Sequence, residues 1–246
     1  MPAATPARGA TATSSRRPET DLLTHGEITP KGRLPDSSNV TLLVEVTLDG
    51  QKGLAVYKPL KGERPLWDFP PGLFKREIAA WELSEALGWG MVPRTIRRDG
   101  PFGEGSLQRF IEADFDQHYF TLREDEAHHE QLRRICAFDL VTNNADRKGG
   151  HLLLAPDGTI YGIDNGLCFH VDPKLRTVIW DFAGEPIPAA IVDDLSRVLA
   201  KGLPSTLARL LPRVEREALL ARMRMLVEAE NFPADDTGYR YPWPLV

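Results

Sequence analysis

The hydrophobic period of this chain changes partway along, and that change restricts its fold more than any other feature. From residue 27, EITPKGRL, VTLLVEVTL and GLAVYKPL are short β-prone runs separated by the turn-forming clusters PDSSN and DGQKG. They predict a three-strand meander. LFKREIAAWELSEALG then places apolar residues at 74, 78, 81, 83 and 87, with Gly88 as a stop, so one helix follows the third strand. PRTIRRDG and GSLQRFIEA predict two more strands. Further on, the segments REDEAHHEQLRRICAFDLVTNN, AAIVDDLSRVLA and PRVEREALLARMRMLVEAE have helical spacing, interrupted by HLLLAPDGTIYGIDNGLCF with two short strands around a PDG turn. The pattern predicts an α+β protein with a β-rich first lobe over residues 19–115 and a mostly α-helical second lobe over 116–246. Residues 1–18, rich in Ala, Thr, Ser, Pro and Arg, are expected to form a disordered tail.

A chain of 246 residues can bury a sizeable core. Its net charge of -5 argues against a nucleic-acid partner that depends on neutralising phosphates. No apolar run approaches the roughly 20 residues that span a bilayer, so no transmembrane segment is expected. The two cysteines, Cys136 and Cys168, lack CxxC spacing. They suggest neither a disulfide framework nor a cysteine-rich zinc site, and a cytoplasmic location is expected.

Four charged residues fall in an informative order. Lys58 ends a strand in AVYKP, Glu77 lies in the following helix, Asp146 sits in NNADRKGGH after a long helix, and Asp164 follows an apolar strand in GIDNG. Taken singly, each fits an edge charge, a helix surface or a capped turn. In particular, Asp164-Asn165-Gly166 between apolar residues matches a type I′ hairpin turn as well as a metal site. Phosphoryl transfer needs cations and a metal on the triphosphate and a carboxylate to orient the attacking hydroxyl, since positioning and electrostatics supply nearly all of its catalysis. A strand lysine, a helix glutamate and two loop aspartates, in this order, are the parts of a kinase-like site.

YKP, REIAAWELSEALGWGMVP, NNADRKGG and above all GIDNGLCF resemble the phosphatidylinositol 3- and 4-kinase superfamily. The similarity is strongest to the type II phosphatidylinositol 4-kinases and to a bacterial group with that kinase-like domain. It implies a bilobal protein-kinase-like fold and an ATP-dependent phosphotransferase moving the γ-phosphoryl group to a hydroxyl of a protein, small molecule or lipid. By this resemblance Lys58 contacts the phosphates and Glu77 holds it. Ser37, Ser38 and Asn39 of PDSSN take the place of the phosphate-covering loop, and the segment around Gln108 and Ile111 meets adenine. Asp146 matches the catalytic-loop aspartate, with Arg147 beside it as a structural or phosphate-charge partner, and Asp164 matches the ligand of Mg2+ or Mn2+. His151 departs from the pattern, standing where the family carries a metal-ligating Asn. It is open to three readings: substitute metal ligand, hydrogen-bonding neighbour, or sign of weakened catalysis. The first two are preferred, because the lysine and both carboxylates remain. A catalytically weak ATP-binding scaffold, suggested by His151 and by the lack of a GxGxxG loop, and nucleotidyl transfer on the same metal geometry are the alternatives. The acceptor and the oligomeric state stay open.

Overall fold

The computed structural model describes residues 16–35 and 39–246. A helix the sequence pattern did not foresee, α1, covers Arg16–His25. Residues 16–18, expected in the tail, form its first turn, where the missing N–H of Pro18 costs nothing. Leu22 and Leu23 then fix the helix by burying against the sheet.

That sheet has five antiparallel strands: β1 (Glu27–Arg33), β2 (Leu42–Leu48), β3 (Gln51–Pro59), β4 (Thr95–Gly100) and β5 (Gly103–Arg109). Their order is β1-β2-β3-β5-β4. Asp49 and Gly50 join β2 to β3 with φ of 49° and 80°, the paired positive values that a type I′ hairpin demands. Side chains alternate along a strand. Leu42, Val44 and Val46 of β2 and Ala55 and Tyr57 of β3 pack with Leu22 and Leu23 of α1. Lys58, next in the alternation, is therefore sent to the opposite face, toward the second lobe.

Helix α2 (Leu73–Leu87) begins where the Glu63 carboxylate accepts the free backbone N–H groups of Gly72 and Phe74, at 2.7 and 2.9 Å. It ends at Gly88, whose left-handed φ of 74° suits a residue without Cβ. Ala79, Ala80, Leu83 and Leu87 of α2 join the same core as the helices of the second lobe. Those are α3 (Tyr119–Leu122), α4 (His129–Thr142), α5 (Ala189–Lys201), α6 (Ser205–Ala208) and α7 (Arg213–Glu228). The long helix expected from residue 123 is broken. The Asp125 side chain accepts from the Ala127 N–H at 2.9 Å and opens a 3₁₀ turn over Glu126–His128 before α4 starts.

Strands β6 (Leu152–Leu154) and β7 (Ile160–Gly162) form the expected hairpin around the PDG turn. After β7 no pairing strand follows, and Asp164 adopts a left-handed φ of 57°. The hairpin reading of Asp164-Asn165-Gly166 is thus excluded, and the loop instead presents its carboxylate toward the first lobe.

Gly105 of β5 faces Pro59 in the register beside Lys58. A Cβ there would stand 2.3 Å from the Lys58 carbonyl oxygen. Gly105→Ala is expected to push the two strands apart at a cost of about 1–3 kcal/mol. A urea denaturation midpoint equal to that of the parent would contradict this strand spacing.

Candidate active site

The lobes meet at one ammonium group. Lys58 Nζ donates to Glu77 Oε1 and lies 2.9 Å from Asp164 Oδ1. Glu77 is buried, and its second oxygen accepts the Asn165 N–H at 3.0 Å. One carboxylate of α2 therefore grips both the lysine of β3 and the backbone beside Asp164. The Lys58 and Asp164 side chains keep 21% and 52% of their surface open to the cleft. Burial alone would lower the Lys58 pKa, but the Asp164 and Glu77 carboxylates outweigh it and raise the value. The same lysine holds Asp164 well below the ordinary aspartate range, against the opposing effect of burial. Both groups are charged at neutral pH.

The loop carrying Asp146 is fastened from below. Asn143 turns the chain out of α4 at a φ of 56°. Asp139, one turn earlier, accepts from the Asn144 side chain at 3.0 Å, from Arg147 Nε at 3.1 Å and from Thr177 Oγ1 at 3.1 Å. Arg147 is fully enclosed. Beyond Asp139, its guanidinium donates to the Ile163 carbonyl at 2.6 Å and to Asn165 Oδ1 at 2.7 Å. It therefore does not reach the cleft. Of the two readings, structural and phosphate-charge partner, its enclosed side chain fits the structural one, since it ties the loop of Asp146 to the loop of Asp164.

Asp146 itself remains half open, with Lys148 Nζ 3.1 Å from its Oδ2. Burial raises its pKa, and the nearby Asp164 charge adds to that effect, while Lys148 and Arg176 act the other way. Lys148 and Asp139 escaped the sequence reading. A cation two residues past the acid was a usable signal for Lys148. Asp139 lay hidden among the apolar positions of its helix.

His151 lines the same corner, with Nε2 3.5 Å from Asp164 Oδ2. Its Nδ1 accepts the Lys148 N–H at 3.3 Å, which places the ring proton on Nε2, facing the carboxylate. Burial lowers its pKa to about 4, helped by the surrounding cations and opposed by Asp164, so the imidazole is neutral at physiological pH. Among the described residues no three His, Cys, Asp or Glu side chains gather into a metal-holding group. The donors that face the cleft are carboxylate oxygens, which suit Mg2+ or Mn2+ where nucleotide phosphates and water complete the shell.

At the other end of the cleft, Ile111 packs with Leu153 and Ala155, and Tyr161 and Ile163 lie against them. A cavity of about 620 Å³ borders them, lined by Leu54, Ile111, Glu112, Ala155 and Tyr161 and reaching Leu22, Leu23 and Val46 at the α1 side of the sheet. The four residue steps from Leu54 to Lys58 span about 13 Å of extended strand. Gln108 differs from its expected place: it is buried, its side-chain amide donates to Thr95 Oγ1 at 2.8 Å, and its strand is central in the sheet. Ser37 and Ser38 lie outside the described residues, and Asn39 Oδ1 accepts the Arg64 N–H at 2.8 Å.

The sequence pattern of phosphatidylinositol 3- and 4-kinase matches residues 75–223, from α2 to α7, a span that holds Glu77, Asp146 and Asp164. The chain belongs to this family. Protein Rv2133c of Mycobacterium tuberculosis (strain ATCC 25618 / H37Rv) is 39% identical to it over 93% of this chain and 96% of its own length. Among solved structures, the Golgi casein kinase with Mn/ADP bound superposes with a TM-score of 0.55 at 14% identity, over 93% of this chain and 80% of that one. The Helicobacter pylori proinflammatory kinase CtkA superposes with a TM-score of 0.50 at 12% identity, over 85% and 94%. The shared architecture is the bilobal protein-kinase-like α+β fold, with its β-rich lobe first in the chain.

Arg147→Met is expected to cost about 3–5 kcal/mol, because it leaves the enclosed Asp139 charge uncompensated. Arg147→Met combined with Asp139→Asn should recover part of that loss in urea titrations. A single variant as stable as the parent would show that the pair does not hold the two loops.

Proposed function

We propose that this chain is an ATP-dependent phosphotransferase that moves the γ-phosphoryl group to a hydroxyl acceptor, using Mg2+ or Mn2+. One observation carries the reading: an ammonium, a glutamate and a half-open aspartate from both lobes meet in one cleft, beside a second aspartate with a raised pKa. Membership of the kinase family and the kinase fold support it.

In this reading Lys58, held by Glu77, binds and orients a phosphate oxygen. A divalent ion on Asp164 supplies neutralisation of phosphate charge. Asp146 orients the acceptor hydroxyl and takes its proton, and burial makes it a better base than an ordinary aspartate. Lys148 is placed to balance the charge of Asp146 until an acceptor arrives. His151 acts as a donor that aims Asp164, in preference to a metal ligand, because its Nε2 carries the proton. Ile111 and the cavity beside it receive the adenine. The first lobe, through the strand segment ending near residue 115, and the second from 116 onward act as the two jaws. No described helix is long and apolar enough to cross a membrane, and the buried free thiols of Cys136 and Cys168 suit a reducing cytoplasm.

Asp146→Asn should lower the transfer rate from γ-labelled ATP by about 10²–10⁴-fold with little change in nucleotide affinity. The rate should also fall as the pH drops through a value above the ordinary aspartate range, since the proton acceptor must be ionised. Label appearing from α-labelled ATP instead would replace transfer of the γ-phosphoryl group by nucleotidyl transfer. Asp164→Ala should abolish the thermal shift given by ATP with Mg2+, whereas His151→Gln should retain most of it. Equal loss in both variants would make His151 a ligand.

A further inference from the structure

A second cavity, of about 790 Å³, lies in the α-helical lobe between α7, the end of α4 and the segment that follows Asp164. Its wall is apolar where Leu140, Leu226, Met225 and Ala229 contribute. Its charged residues are Lys174, Arg176, Arg222 and Arg240, and no described Asp or Glu lines it, although the whole chain carries a net charge of -5. Two of these cations are engaged from outside the cavity. Lys174 Nζ lies 2.9 Å from Asp68 and 5.3 Å from the Trp67 ring centroid, and Arg240 lies 3.8 Å from Asp235.

Arg222 differs. Its Nε donates to the Val141 carbonyl at 2.7 Å and its Nη1 to the His170 carbonyl at 3.2 Å, while its enclosed Nη2 has no partner among the described residues. Burial lowers its pKa to about 10, opposed by Cys168 and Glu215, so it remains a cation at neutral pH. A cavity lined by cations and by no described Asp or Glu favours an anionic ligand.

We propose that this cavity binds a soluble amphipathic monoanion, a carboxylate on an apolar body, with the carboxylate facing the cations Arg176 and Arg222 and the apolar body along α7. The volume is that of a site for one small molecule. Arg176 lines the cavity and is also bonded through its backbone to the loop of Asp146, donating to the Asn144 carbonyl at 2.8 Å and accepting from the Arg147 N–H at 3.0 Å. The site is thus separate from the cleft of Lys58 yet shares a wall with it. Binding is independent of phosphoryl transfer and is measured without ATP.

Titration calorimetry of the full chain with dodecanoate below its micellar concentration should give one site per chain, with dodecanol binding at least roughly tenfold more weakly. Met225 is exposed at the cavity wall, so its substitutions spare the fold. Met225→Glu should weaken dodecanoate roughly tenfold or more by setting a like charge beside it, whereas Met225→Lys should bind as tightly as the parent or better. Four results would overturn the proposal: no heat with dodecanoate, equal affinity for dodecanol, equal loss in the two Met225 variants, or binding only to phosphatidylglycerol vesicles.

Discussion

The ion pair between Asp139 and Arg147 is the constraint on which the site depends. Both side chains are wholly enclosed, with 0% of either open to water. Such a pair contributes little net stability, because desolvation offsets the attraction. Its value lies in geometry. Asp139 belongs to a helix packed in the core, while the guanidinium of Arg147, itself on the loop of Asp146, reaches two further points on the loop of Asp164, the Ile163 carbonyl and Asn165 Oδ1, so neither loop can shift without leaving a buried charge short of partners. Asp146 and Asp164 inherit their separation from this fork, and a planar group with several fixed N–H directions is well suited to setting it.

The upper half of the site has a similar economy of parts. Glu77 uses each of its two oxygens for a different lobe, one for the Lys58 ammonium and one for the Asn165 N–H. Its helix is held in turn by Arg76, which donates to Glu215 of α7 and to the Cys168 carbonyl. The electrostatic result is a row of alternating charges, Glu77, Lys58 and Asp164, that a polyanion with its counter-ion can enter by exchanging partners. At the far end of the cleft the hydrophobic residues around Ile111 supply an apolar wall.

Much of this was legible in the sequence because it rests on local pattern. The switch from alternation to helical spacing gave the two lobes, and the order of Lys58, Glu77, Asp146 and Asp164 gave the elements that carry them. What stayed hidden depends on contacts between distant segments. Helix α1 has few apolar residues, and only the sheet beneath Leu22 and Leu23 explains why it is ordered. Asp139 reads as one more position on a buried helix face until Arg147, eight residues on, folds back to it. Gln108 has a side chain that could serve either face of a strand, and Thr95 on the neighbouring strand decides the matter. The turn at Asp164 shows the limit most plainly: Asp-Asn-Gly obeys the rules for a hairpin, and only the absence of a pairing strand after it removes that choice.

Helix α2 follows the β-rich lobe's third strand in sequence but shares the core of the α-helical lobe. Extracting it from that core would expose Ala79, Leu83 and Leu87 to water. A sheet that moved against this helix would break the bond between Lys58 and Glu77. If the chain works as proposed, closure of the lobes and alignment of Lys58 are a single event, and an open molecule has no aligned lysine.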